Sequence, residues 1–99
     1  MEKIYRQGDV LLRQIREIPK GMPKKDEILA YGEVTGHKHR LMGSVQVFGK
    51  IGEQQFADIE EETELVHEEH DTLKIPKGKY QVIQQREFDV VEGSRQVMD

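Results

Sequence analysis

The chain contains no cysteine and only three prolines, and no window approaches the roughly 20 consecutive apolar residues that span a bilayer. Without thiols there are neither disulfides nor thiolate metal knuckles, so any metal ion would need imidazole and carboxylate ligands. The opening "MEKIYRQGDV" lacks the apolar run of a signal peptide. We therefore expect a cytoplasmic protein with no membrane association. Aromatic residues are also sparse: three Tyr and three Phe, not interleaved with basic residues, leave little for nucleic-acid recognition by stacking.

What is present is the composition of a folding chain near the polar edge of the globular range. Hydrophobic residues make up 35% and charged residues 34%, but Val, Ile, Leu, Phe and Tyr recur at regular intervals instead of thinning out. Ninety-nine residues suit a single domain over 1–99. The net charge of -4 divides unevenly, with ten Lys/Arg against six Asp/Glu in residues 1–50 and five against thirteen in 51–99. We expect the two halves to pack together and partly neutralise each other, in preference to one of them steering a polyanion.

The apolar pattern has the period of strands. "DVLLRQIRE" (9–17) alternates, and "IPKGMPKKDE" (18–27), with two prolines and a glycine, reads as a loop before "EILAYGEVTG" resumes extended structure. Val45 and Val47 alternate with Gln46 and Phe48, and Gly43-Ser44 suits a tight hairpin turn, giving a β-meander. The Glu-rich stretch from Phe56 to Ile75 is compatible with a helix, but Leu65, Val66, Leu73 and Ile75 fit two short strands better. After the Pro76–Gly78 turn, Tyr80, Val82, Gln84, Arg86 and Phe88 alternate with Gln81, Ile83, Gln85 and Glu87 in a long strand with one face half apolar, and Glu92-Gly93 turns into a final short one. The expected fold is all-β: a small single-domain β-barrel. An edge such as "SVQVFG" is a place where a second copy would pair to form a homodimer.

Two segments concentrate histidine. His37 and His39 lie two apart, which on a strand puts both rings on one face about 6–7 Å apart at Cα. His67 and His70 flank Glu68 and Glu69. The plainer reading is four surface histidines, with "HEEHD" a solvated acidic turn. The sharper one brings "HEEH" opposite "HKH", so that His37, His39, His67 and His70 hold a divalent transition metal such as Zn, Mn, Fe or Ni. Acid–base catalysis has less behind it, because no partner is tied to either His37 or His39 by spacing, and an enzyme is the lesser expectation.

The same segment has a third use. Gly36, Lys38 and Arg40, with Arg86 as an anchor, would make a phosphate or carboxylate pocket within a candidate ligand site at 32–41, although "GEVTGHKHR" lacks the ending of a P-loop. Arg86 could equally pair with an acid from the 60s. The acids Glu60, Glu61, Glu62, Glu64, Glu68, Glu69 and Asp71 do not form a calcium-loop frame and read as a solvated face.

Three resemblances attach to these residues. "RQGDVLL" resembles the Gly-Asp turn of cradle-loop barrels, the group that includes RIFT barrels, and implies a related barrel with Gly8-Asp9 ahead of a strand. His37-Lys38-His39 and Pro76-Lys77-Gly78 resemble two cupin motifs, which would imply a metal centre, but Gln81 stands where the last cupin histidine is expected. Together "RQGDVLL", "GEVTGHKHRL", "HEEH" and "QREFD" resemble a family of small bacterial and phage proteins without an assigned activity. The expected function is a small β-barrel binding or interaction module, with a cupin-like metal protein and a phosphate- or nucleic-acid-binding barrel as alternatives.

Overall fold

The computed structural model describes residues 3–32 and 36–85. These form ten strands: β1 (Ile4–Gln7), β2 (Val10–Ile15), β3 (Lys24–Lys25), β4 (Ile28–Tyr31), β5 (Lys38–Met42), β6 (Val45–Gly49), β7 (Gln55–Ile59), β8 (Thr63–His67), β9 (His70–Ile75) and β10 (Gly78–Gln84). The Glu-rich region is two strands, β8 and β9, as its β-branched residues suggest. No helix among the described residues is long and apolar enough to cross a membrane.

The strands pair into two antiparallel sheets, one in the order β1-β2-β10-β7-β6-β3 and the other β4-β5-β8-β9. They do not close into a single hydrogen-bonded ring among the described residues. The expected hairpin at Gly43-Ser44 is corrected here. β5 pairs with β4 and β8, β6 pairs with β3 and β7, so the turn carries the chain from one sheet to the other. A Cβ on Gly43 would run into Thr63, and its φ of 135° is open only to glycine at little cost. The loop expected over 18–27 also contains β3. This short strand covers β6 at Val47 and Phe48, so that part of "SVQVFG" is not a free edge.

Alternation explains where the core sits. Every strand except β1 and β3 contributes a fully buried apolar residue, including Leu12, Leu29, Leu41, Val47, Ile59, Leu65, Ile75 and Tyr80. Strand β10, the clearest periodic segment of the sequence, lies between β2 and β7 at the middle of its sheet. Its Tyr80 and Val82 point into the core, while Gln81 reaches Arg13 on β2 at 2.6 Å. Arg86 and Phe88, the turn at Glu92-Gly93 and the final short strand lie outside the described residues.

Two irregularities shape the four-stranded sheet. Between β4 and β5 the register shifts from Ile28↔Arg40 to Ala30↔His39, and between β8 and β9 it shifts from Leu65↔Leu73 to His67↔His70. Such bulges re-aim side chains beside them. Both lie next to histidines, the first at His39 and the second at His67 and His70.

Candidate metal centre

Three histidines form a row across three neighbouring strands. Strands β5 and β8 pair as Leu41↔Leu65 and Arg40↔Val66, and one further step in that register puts His39 opposite His67. His67 and His70 pair directly across the two-residue Glu68-Glu69 turn, which leaves its flanking residues facing each other on the same side of the sheet. Ring centroids are 4.3 Å apart for His39 and His67, and 4.6 Å for His67 and His70. One potential ligand atom from each of the three lies within 4.8 Å of the others. Four-coordinate zinc with bonds of about 2.0–2.1 Å holds its ligand atoms about 3.3 Å apart. Closing the set around an ion therefore asks for side-chain rotation, with the strands left in place.

Burial falls along the row. His39 is 2% exposed, His67 half-buried and His70 exposed. The surface reading is thus corrected for His39. Its burial follows from its place on β5, two residues before the core residue Leu41 and on the same face. Burial, then the neighbouring imidazole of His67, pushes the His39 pKa down from 6.5 to about 4, against the opposing pull of Asp9. At neutral pH the ring is uncharged and keeps a lone pair.

Gln7 decides which nitrogen carries that lone pair. Its amide nitrogen donates to the backbone carbonyls of Leu65 (2.8 Å) and Asp71 (2.9 Å), so its amide oxygen is the atom that faces His39 Nδ1 at 2.9 Å. An oxygen can only accept there, so the proton of neutral His39 sits on Nδ1 and Nε2 is bare. Outer partners of this kind are what set the tautomer of a metal-binding histidine. His67 is set differently. Its Nδ1 accepts the Glu69 backbone amide at 3.0 Å, so the proton of the neutral ring sits on Nε2. An ion at His67 displaces one of the two, the amide from Nδ1 or the proton from Nε2.

The β1–β2 turn lies over the row. Gly8, at φ 60°, is so close that a Cβ there would stand 2.7 Å from His70 Nε2 and 3.3 Å from His39 Cε1. On the other side, a Cβ on Gly32 would stand 3.3 Å from His67 Nε2. Next to Gly8, Asp9 Oδ1 lies 3.3 Å from His39 Nε2. Neither Gln7 nor Asp9 was among the site residues expected from sequence. The Gly8-Asp9 turn was visible, but its position over residues 30 and 60 further along the chain was not.

The other expected site residues fall outside the trio. His37 packs edge-on against His67, with centroids 5.8 Å apart, and its Nδ1 meets Glu69 Oε2 at 2.9 Å. Lys38 and Arg40, which alternate with His39 along β5, line a depression of about 220 Å³ with Val66, His67 and Glu68. The Lys38 amide already donates to Glu68 Oε1 at 2.9 Å, and this bond is the main cause holding the Glu68 carboxyl below its usual pKa. Gly36 is exposed at φ 87°, with its carbonyl 3.5 Å from Lys38 Nζ. The acids of the 60s are exposed, as expected of a solvated face.

These observations define a small all-β domain with a histidine row beneath a Gly-Asp turn. The chain belongs to the family described as a domain of unknown function, DUF8820, whose model matches residues 6–85. The matched span includes Gln7, Asp9 and all four histidines, and agrees with the resemblance to small proteins without an assigned activity. No curated protein and no solved structure matches the chain.

Proposed function

We propose that the protein is a small β-domain that binds one divalent transition-metal ion through His39, His67 and His70. The observation that carries this reading is the state of His39: a buried, uncharged imidazole whose Nδ1 proton is committed to Gln7, leaving the Nε2 lone pair beside two further imidazoles. A nitrogen-rich set without thiolate suits zinc, nickel, cobalt or iron more than calcium or magnesium. The exposed carboxylates of Asp9 and Glu69 at the rim favour a cation over an anion. Of the two wider resemblances, the cradle-loop turn enters as the cover over the site, and the cupin motif only through His37-Lys38-His39.

Chelator-treated protein titrated with Zn²⁺, Co²⁺ or Ni²⁺ should take up one ion per chain. At free metal about 100-fold above Kd the native state gains about 2.7 kcal/mol, which raises Tm by roughly 10–20 °C in a domain of this size. His67→Ala should abolish uptake. His37→Ala should weaken it by no more than the roughly 10–100-fold typical of an outer partner. Wild-type protein that binds none of these ions would overturn the proposal.

A further inference from the structure

We propose that Asp9 is the fourth ligand of this centre, so that a bound ion joins the turn of one sheet to three strands of the other. The inference rests on the metal-binding reading above and extends it to a residue outside the histidine row.

The argument begins with two atoms that do not suit each other. His39 Nε2 carries a lone pair, because Gln7 holds the ring proton at Nδ1. Asp9 Oδ1, also a lone-pair atom, faces it at 3.3 Å. Two acceptors aimed at each other repel unless something positive stands between them. A proton between them would place a charge on a ring that is only 2% exposed. A metal ion serves without it, and the separation equals the edge of about 3.3 Å that bonds of about 2.0–2.1 Å impose on a tetrahedral site.

The carboxylate is also held in place. Its other oxygen, Oδ2, accepts a hydrogen bond from Gln84 Nε2 at 3.1 Å, and the Asp9 carbonyl accepts the Gln85 amide at 2.7 Å. Both partners come from the end of β10 or just beyond it, which fixes the turn over the histidines with Oδ1 directed at His39. Gly8 completes the arrangement, since a side chain there would hold the turn away from His70. Three imidazoles and one carboxylate form a complete zinc set.

Joining the sheets follows from topology. Asp9 lies in the turn between β1 and β2 of the six-stranded sheet, whereas His39, His67 and His70 lie on β5, β8 and β9 of the four-stranded one. An ion held by all four spans the same gap that Gln7 bridges in its hydrogen bonds to Leu65 and Asp71.

The test is a titration of the full chain with Co²⁺ and Zn²⁺, comparing wild type with Asp9→Asn, Asp9→Ala and, as a matched loss of one exposed negative charge, Glu64→Gln. Circular dichroism of each metal-free variant first establishes that it folds. Asp9→Asn and Asp9→Ala should lose more affinity than the roughly 10–100-fold that removal of an outer partner costs. They should also alter the visible absorption of the Co²⁺ complex, which reports the ligand set. Hydrogen exchange of the amides at residues 7–10 should slow on metal binding in wild type and not in these variants. Glu64→Gln should behave as wild type. If Asp9→Asn keeps wild-type affinity and an unchanged Co²⁺ spectrum, the fourth-ligand assignment fails while the histidine site stands. If wild type binds neither ion, the failure belongs to the site itself.

Discussion

Leu41, Leu65 and Leu73 lie side by side on β5, β8 and β9, and one pleat away on the same three strands lie His39, His67 and His70. The leucine row joins the core between the sheets, with Leu41 and Leu65 fully buried. The histidine row sits where the core gives way to the β1–β2 turn, and its exposure rises from His39 to His70. One backbone frame thus serves two purposes. The leucines need only apolar neighbours, whereas two of the imidazoles have directed polar partners: Gln7 and Asp9 for His39, the Glu69 amide for His67. The contrast shows that the site is an end of the core in which packing has been replaced by directed lone pairs.

The sharpest way to break the comparison is to delete one member of each row on a shared strand. Leu65→Ala should cost about 2–5 kcal/mol of stability with or without metal, as core truncations do, measured by urea unfolding. His67→Ala, two residues along β8, should cost far less in the metal-free protein but remove the stabilisation that metal gives.

A slightly smaller effect should separate the rows by pH. The His39 pKa is about 4 in the folded chain and 6.5 as an ordinary histidine, so above pH 6.5 both states are neutral there and the residue adds no pH dependence. As pH falls from 6.5 to 4 the unfolded chain takes up a proton that the folded one refuses, and stability drops by on the order of 3 kcal/mol. Urea midpoints of metal-free protein at pH 7 and pH 4.5 should show this loss, and His39→Leu should flatten it. Replacements in the leucine row should leave the pH slope unchanged.

The smallest of the three effects tests the cover over the histidines. Gly8→Ala places a side chain in a left-handed conformation, at about 1–2 kcal/mol, and directs its Cβ at His70. It should lower Tm by several degrees and weaken metal binding by more than that stability loss explains, because His70 must move.

Much of this was legible in the sequence, and the limits have physical causes. The alternation of residues 10–15 and 78–84 marked β2 and β10, and the preference of Leu65, Val66, Leu73 and Ile75 for strands outweighed the helix-forming glutamates around them. The clusters His37/His39 and His67/His70 were conspicuous in the sequence, and folding brings His39 beside His67 and His70. Alternation reports which side of a strand a residue occupies but not which strand lies next to it. It therefore left open that Gly43-Ser44 changes sheets, that Glu69 turns His37 aside, and that Gln7 and Asp9 arrive from the far end of the chain. Gln7 looked like any polar residue before a glycine turn. Its importance comes from two backbone carbonyls, Leu65 and Asp71, that only folding brings within reach.

The irregular pairing of β8 with β9 has a chemical meaning. Continuing the register of Leu65↔Leu73 without a shift would set Asp71 opposite His67, and the row would end in a hard oxygen donor. The single extra residue on β9 brings His70 into that place instead and leaves the Asp71 carbonyl for Gln7. One peptide unit of slippage thus decides which donor element stands beside His67, nitrogen in place of oxygen.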